Sequence, residues 1–93
     1  VLCRIGGEEF VAICRRASKK DAFELAESLR QAVENKVTNT GKEKIKVTVS
    51  IGIATVTKDS AENDAANLFK HADIALYNSK DKGRNLVSHY SDL

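Results

Sequence analysis

An open α/β sandwich, with a central, mostly antiparallel sheet flanked by helices, is the fold class that three observations predict. The chain opens on an apolar hairpin, carries two amphipathic stretches at helical spacing, and holds between them a segment that alternates side-chain character with period two. With 93 residues, 42% apolar and 30% charged, it has material for one modest core and too much of it for a disordered tail.

The hairpin is "VLCRIGGEEFVAIC", Val1–Cys14, in which Gly6-Gly7 punctuates two strands. Glycine accepts the positive φ angles of tight turns, and "FVAIC" is apolar enough for an interior strand. With the turn at the glycine pair, Cys3 faces Phe10 across a two-residue loop or Ala12 across a four-residue one. Neither register pairs it with Cys14, so the thiols are expected to act as small apolar side chains. His71 and His89 lack the spacing of zinc ligands.

A helix follows. Ser18 with Asp21 is a capping-box type of start, and Ala22, Ala26, Leu29 and Val33 form one apolar stripe at three- and four-residue steps. "TNTG", Thr38–Gly41, reads as a loop, with a short extra strand possible near Lys42–Lys44. The clearest strand signal comes next, Ile45, Val47, Val49, Ile51 and Ile53 alternating with Lys46, Thr48, Ser50, Gly52 and Ala54. A glycine at position 52 inside that run implies that something approaches the backbone of this strand closely.

After "TKDSAEND" a second helix carries Ala65, Leu68, Phe69, Ala72, Ala75, Leu76 and Ser79 on one side, with Gly83 as its terminator. A final short strand spans Asn85–Tyr90. The predicted order is hairpin, α, β, α, β.

The formal charge is +2, with 15 Lys and Arg dispersed among 13 Asp and Glu. No basic block suggests nucleic-acid or membrane binding. No apolar run approaches the roughly 20 residues of a membrane span and no signal peptide is visible, so a cytoplasmic protein is expected. Val1 begins inside a strand-like run and the chain has no methionine, which suggests part of a longer protein whose N-terminal elements lie elsewhere.

Two constellations can carry chemistry. In "GGEE" successive strand side chains point to opposite faces, so Glu8 and Glu9 do not form an acid and base pair on one ligand. The motif is either a solvated acidic turn or a carboxylate placed for a hard divalent cation, which would need a second acid beside substrate phosphates, and no obvious partner acid stands elsewhere in the sequence. In "NSKDKGRN", Asn78–Asn85, Lys80 and Arg84 either complement the helix dipole or grip a polyphosphate.

Taken together, "CRIGGEEFVAI", "VTVSIGIA" and "ADIALYNSKDKGRN" resemble the signature hairpin, central strand and last helix of the GGDEF family, the diguanylate cyclases. The three occur in family order, and the resemblance covers essentially all of residues 1–93, read as a partial domain from signature hairpin to C-terminal strand. It implies a nucleotidyl-cyclase, ferredoxin-like fold and the condensation of two GTP into cyclic di-GMP with release of two pyrophosphates, by a homodimer using Mg²⁺ or Mn²⁺. By the same resemblance Gly6 and Gly7 let the backbone approach nucleotide, Glu8 binds metal and helps to deprotonate the 3′-hydroxyl, and Glu9 takes the adjacent catalytic role of the motif's invariant acid. Lys80 and Arg84 then match the basic pair at the β- and γ-phosphates.

The family's first strand, with its second metal-binding aspartate, its guanine-reading helices and the Arg-x-x-Asp product-inhibition motif fall upstream of Val1. The isolated chain is therefore expected to be inactive, with an open sheet edge where strand exchange could dimerise it. The alternatives are a catalytically silent regulatory domain that binds GTP or mediates dimerisation, and an unrelated ferredoxin-like interaction domain.

Overall fold

The computed structural model describes residues 2–15, 17–39, 41, 44–56 and 65–93. In chain order the elements are β1 (Leu2–Gly6), β2 (Glu9–Arg15), α1 (Lys19–Glu34), β3 (Val37–Asn39), β4 (Lys44–Lys46), β5 (Ser50–Val56), α2 (Ala65–Asp81) and β6 (Val87–His89). A 3₁₀ turn, Tyr90–Asp92, follows. The "TKDSAEND" linker lies outside the described residues, as do Lys42 and Glu43 of the possible extra strand.

The main sheet has the order β1-β2-β5-β6, and β3 and β4 form a separate small hairpin. The expectation of a mostly antiparallel sheet is wrong. Only β1 and β2 run antiparallel, whereas β2 with β5 and β5 with β6 are parallel. The reason is connectivity: after the first hairpin each return to the sheet passes through a helix, and such a crossover brings the chain back in the same direction. Burial agrees, because every residue of β5 except Thr55 is buried, as befits a strand covered on both faces.

Three further expectations change. The alternating segment 45–54 is two strands: β4 pairs back on β3, residues 47–49 pair with nothing in the sheet, and Val47 is 44% exposed. Period two simply continues across a junction at which the chain changes sheets. The turn of the first hairpin is Gly7-Glu8, because Gly6 still pairs with Glu9 and the register shifts between Arg4 and Gly6. That irregularity sets Cys3 opposite Val11, in neither expected register, and Cys14 is a free thiol. Finally, β2 and β5 pair without a gap from Glu9 with Ser50 to Arg15 with Val56, so no open edge lies between them.

The helices cover opposite faces. On one, Val11, Ile13, Ala54 and Val56 meet Leu68, Ala72 and Leu76 of α2. On the other, Ala12, Ile51 and Ile53 meet Ala22 and Ala26 of α1, flanked by the partly buried Leu29 and Val33. The Ser18 cap forms, its Oγ accepting the Asp21 N–H at 3.0 Å. α2 ends in a Schellman motif at Gly83 (φ 123°): the Arg84 N–H donates to Ser79 O at 2.9 Å and that of Gly83 to Lys80 O at 3.4 Å. No helix among the described residues is long and apolar enough to cross a membrane.

Candidate functional site

Strand parity aims Glu9 at the α2 face, along with Val11 and Ile13. There its carboxylate forms an ion pair with Lys80, from the last turn of α2. Gly6, paired opposite Glu9, leaves room for this, since a Cβ at that position would lie 2.9 Å from Glu9 Oε2. Its backbone is not in the left-handed region, so turn geometry does not call for a glycine here as its position in a turn-like pair suggested, and a side chain would only have to displace the flexible end of Glu9.

The Lys80 ammonium holds the Glu9 carboxyl below its ordinary range, first by hydrogen bonding and then by charge, and Arg84 adds to the effect. Glu9 therefore stays ionised, and a carboxylate so stabilised is a poor proton acceptor. Arg84 is exposed and sits just past the helix end with φ 65°.

Glu8 points elsewhere. It is exposed at the tip, and its carbonyl accepts the Ser50 N–H at 2.9 Å, which ties the hairpin tip to the start of β5. Ser50 is 2% exposed, and its Oγ in turn accepts the Asn85 N–H at 3.3 Å. One buried serine thus joins the hairpin tip to the turn that carries Arg84.

The structure brings Glu9 and Lys80 together with residues that the sequence reading did not single out for chemistry. Asp73, Leu76 and Tyr77 of α2 line a cleft of about 180 Å³ with them. The signal was available: positions 73, 77 and 80 stand four and three apart and so share one face of a helix. Tyr77 is 70% exposed, an aromatic surface at the mouth of a charged cleft.

As a cation site the arrangement is incomplete. No group of three or more His, Cys, Asp or Glu side chains suited to a metal occurs among the described residues. Glu8 suits one ligand position of a hard divalent ion, which substrate phosphates and a further acid would have to complete. The cationic Lys80 and Arg84 beside an open cleft are suited to an anion.

Comparison with known proteins gives a consistent picture. The family description "Diguanylate cyclase, GGDEF domain" matches residues 1–86. The chain is 40% identical over 85 residues to Diguanylate cyclase A of Treponema denticola, an alignment that covers 91% of this chain and 22% of that protein. It is 38% identical over 87 residues to the response regulator PleD of Caulobacter vibrioides, covering 91% of this chain and 19% of that one. Among solved structures, the GGDEF domain of DgcB from Caulobacter crescentus, determined in complex with c-di-GMP, matches with a TM-score of 0.67 at 26% identity, over 80% of this chain and 42% of its own. The chain spans 22% and 19% of the length of these two curated relatives.

Proposed function

Since the chain belongs to the GGDEF family of diguanylate cyclases, we propose that residues 1–93 are the C-terminal part of a domain that condenses two GTP into cyclic di-GMP. The observation that carries this reading is the convergence of Glu9, Lys80 and Arg84 beside the exposed Glu8 on a single frame. In the reaction each 3′-hydroxyl oxygen attacks the α-phosphorus of the other GTP. A new P–O bond forms, the bond to the departing pyrophosphate breaks, and the hydroxyl proton is taken up by a base. Two such transfers release two pyrophosphates and need two domains face to face, so the active form is a homodimer.

The roles follow from placement. Lys80 and Arg84 neutralise the β- and γ-phosphates, where charge builds as pyrophosphate leaves. Glu9 holds Lys80 at the cleft and keeps it extended toward the nucleotide. Gly6 and Gly7 keep the hairpin low enough for the phosphates to approach. Glu8 takes one ligand position of Mg²⁺ or Mn²⁺, and being exposed it is better placed than Glu9 to receive the hydroxyl proton. The bound ion would supply neutralisation of the negative charge on the phosphates.

Since the second acid and the guanine contacts come from the upstream segment, the isolated chain binds GTP weakly and does not turn it over. The reaction belongs in the cytoplasm, where its nucleotide substrate is found.

The test is to extend the protein upstream by about 80 residues, within ordinary domain size, and to measure cyclic di-GMP formed from GTP and Mg²⁺, with Glu8→Ala in parallel. The expected result is product from the extended protein and a loss of at least about 100-fold in the variant, the scale on which removing one electrostatic stabiliser acts. A folded, dimeric extension that binds GTP without forming product would instead support the silent regulatory domain.

A further inference from the structure

α1 carries an arginine to which the reaction gives no task. Arg30 is only 14% exposed at its side chain although it stands on a surface helix. Its Nε donates to both oxygens of Glu27 at 3.0 Å, and its Nη1 donates to Glu34 Oε2 at 2.7 Å and to Asn85 Oδ1 at 3.0 Å. Arg30 therefore bridges Glu34 on its own helix to Asn85 in the turn after α2.

That turn is costly to hold. Gly83, Arg84 and Asn85 have φ of 123°, 65° and 53° in succession. Glycine takes such angles freely and asparagine better than most residues, but arginine has no local hydrogen bond to offset the crowding of its Cβ. Consecutive non-glycine residues in this region persist only where the surroundings over-determine them. The Arg84 N–H is held by Ser79 O and that of Asn85 by Ser50 Oγ. Among the hydrogen bonds of the described residues, the Asn85 side chain is held by Arg30.

An exposed ion pair on a helix usually contributes little. Arg30 differs because its guanidinium is largely covered, carries a carboxylate on each flank, and directs a donor at a neutral amide 55 residues away in another element. We infer that Arg30 is a positioning residue that acts through Asn85 to hold the left-handed turn that keeps the charge of Arg84 near Glu9 and Lys80. The inference rests on the proposed function only for what Arg84 binds.

The experiment compares Arg30→Met, Arg30→Lys and Asn85→Gly in the 93-residue chain. One readout is the set of backbone NMR couplings that report the sign of φ at residues 84 and 85. The other is a titration with inorganic pyrophosphate. Arg30→Met should depopulate the left-handed turn and weaken pyrophosphate binding roughly tenfold, the scale of one charge-assisted hydrogen bond. That loss should vanish in an Arg84→Ala background. Arg30→Lys keeps the charge without the planar fork and should not rescue, whereas Asn85→Gly tolerates the angle without the amide and should make Arg30→Met silent.

Unchanged couplings in Arg30→Met overturn the inference, as does an affinity loss of equal size with and without Arg84. If the parent chain binds no pyrophosphate at all, the proposed phosphate site fails while the couplings still decide the inference. Should Arg30→Met not fold, the couplings of Arg30→Lys carry the same decision.

Discussion

The two faces of the sheet are built from the same small residue, with opposite results. On the α2 face, Ala72 and Ala75 are fully buried and let the helix backbone descend onto Gly52. A Cβ on that glycine would lie 2.7 Å from Leu76 Cα and closer still to Ala72 O and Leu76 N. On the α1 face, Ala22 and Ala26 leave space. An apolar cavity of about 320 Å³ remains there, lined by these two with Ala12, Cys14, Leu25, Leu29 and Ile51. Here the buried helix alanines go with close packing where the strand opposite offers Gly52, and with open space where it offers Ala12 and Ile51. The closely packed face is also the one that presents Glu9 and Lys80, so the candidate site stands on the part of the molecule with the least freedom to shift.

The sharpest way to break this comparison is to add a methyl group or more to each face. Gly52→Ala drives its Cβ into helix backbone, which cannot rotate away, and should cost more than about 3 kcal/mol, at or beyond the upper end of ordinary overpacking. Ala26→Leu on the other face enters open space and should be neutral or stabilising by about 0.5–2 kcal/mol. Urea unfolding of both variants checks the pair. Equal destabilisation would mean that the α1 cavity closes in solution and that the two faces are alike.

A smaller effect is expected at the polar anchor of the close-packed face. Ser79 is fully buried in the last turn of α2, where its Oγ bonds Ile51 O at 3.0 Å and Ser88 Oγ at 2.7 Å. Asn78 Nδ2 also donates to that Ser88 hydroxyl, at 3.0 Å. Ser79→Ala removes the link between α2, β5 and β6 while leaving the helix intact, and about 1–2 kcal/mol should be lost in the same unfolding assay. A loss below the error of the assay would show that apolar packing at Ala72, Ala75 and Leu76 holds the helix end without it.

What could be read from the sequence divides along the same physical line. The Ser18 cap, the apolar stripes and the Gly83 terminator depend on residues within a turn or two of one another, so spacing reveals them. Gly52 could be read because a lone glycine weakens a strongly apolar strand and is kept there where a neighbouring backbone needs the room. Strand direction could not, since it follows from how the chain returns to the sheet, and period two is the same for parallel and antiparallel strands. The register shift between Arg4 and Gly6 has no sequence mark of its own. At the candidate site, resemblance singled out Lys80 and Glu9, but their pairing joins residues from opposite ends of the chain. The Arg30 to Asn85 contact spans 55 residues and leaves no local pattern at all.

The smallest effect is one of pH. His89, on β6, is 4% exposed, and its Nδ1 accepts the Ser91 N–H at 3.0 Å. A backbone N–H can only donate, so Nδ1 carries no proton, and the proton on Nε2 is directed to Thr55 Oγ1 at 2.8 Å. Burial pushes the imidazole below its ordinary value of 6.5; among the neighbouring charges Asp92 opposes this and Lys19 reinforces it. The unfolded chain therefore takes up a proton near pH 6.5 that the folded chain refuses. Stability is complete above that pH and declines as the pH falls through it.

The carboxylates behave in a different window. Glu9 beside Lys80, and Glu27 and Glu34 beside Arg30, are held below their ordinary 4.5, so their contribution is present above that pH and is lost only as the pH falls further, through their folded values. Thermal melts should then show two steps on acidification, a first below 6.5 and a second below 4.5. His89→Asn, whose amide oxygen can take the Ser91 N–H without titrating, should erase the first step and leave the second. A first step that survives in that variant would assign it to another group and leave His89 with no part in the pH response.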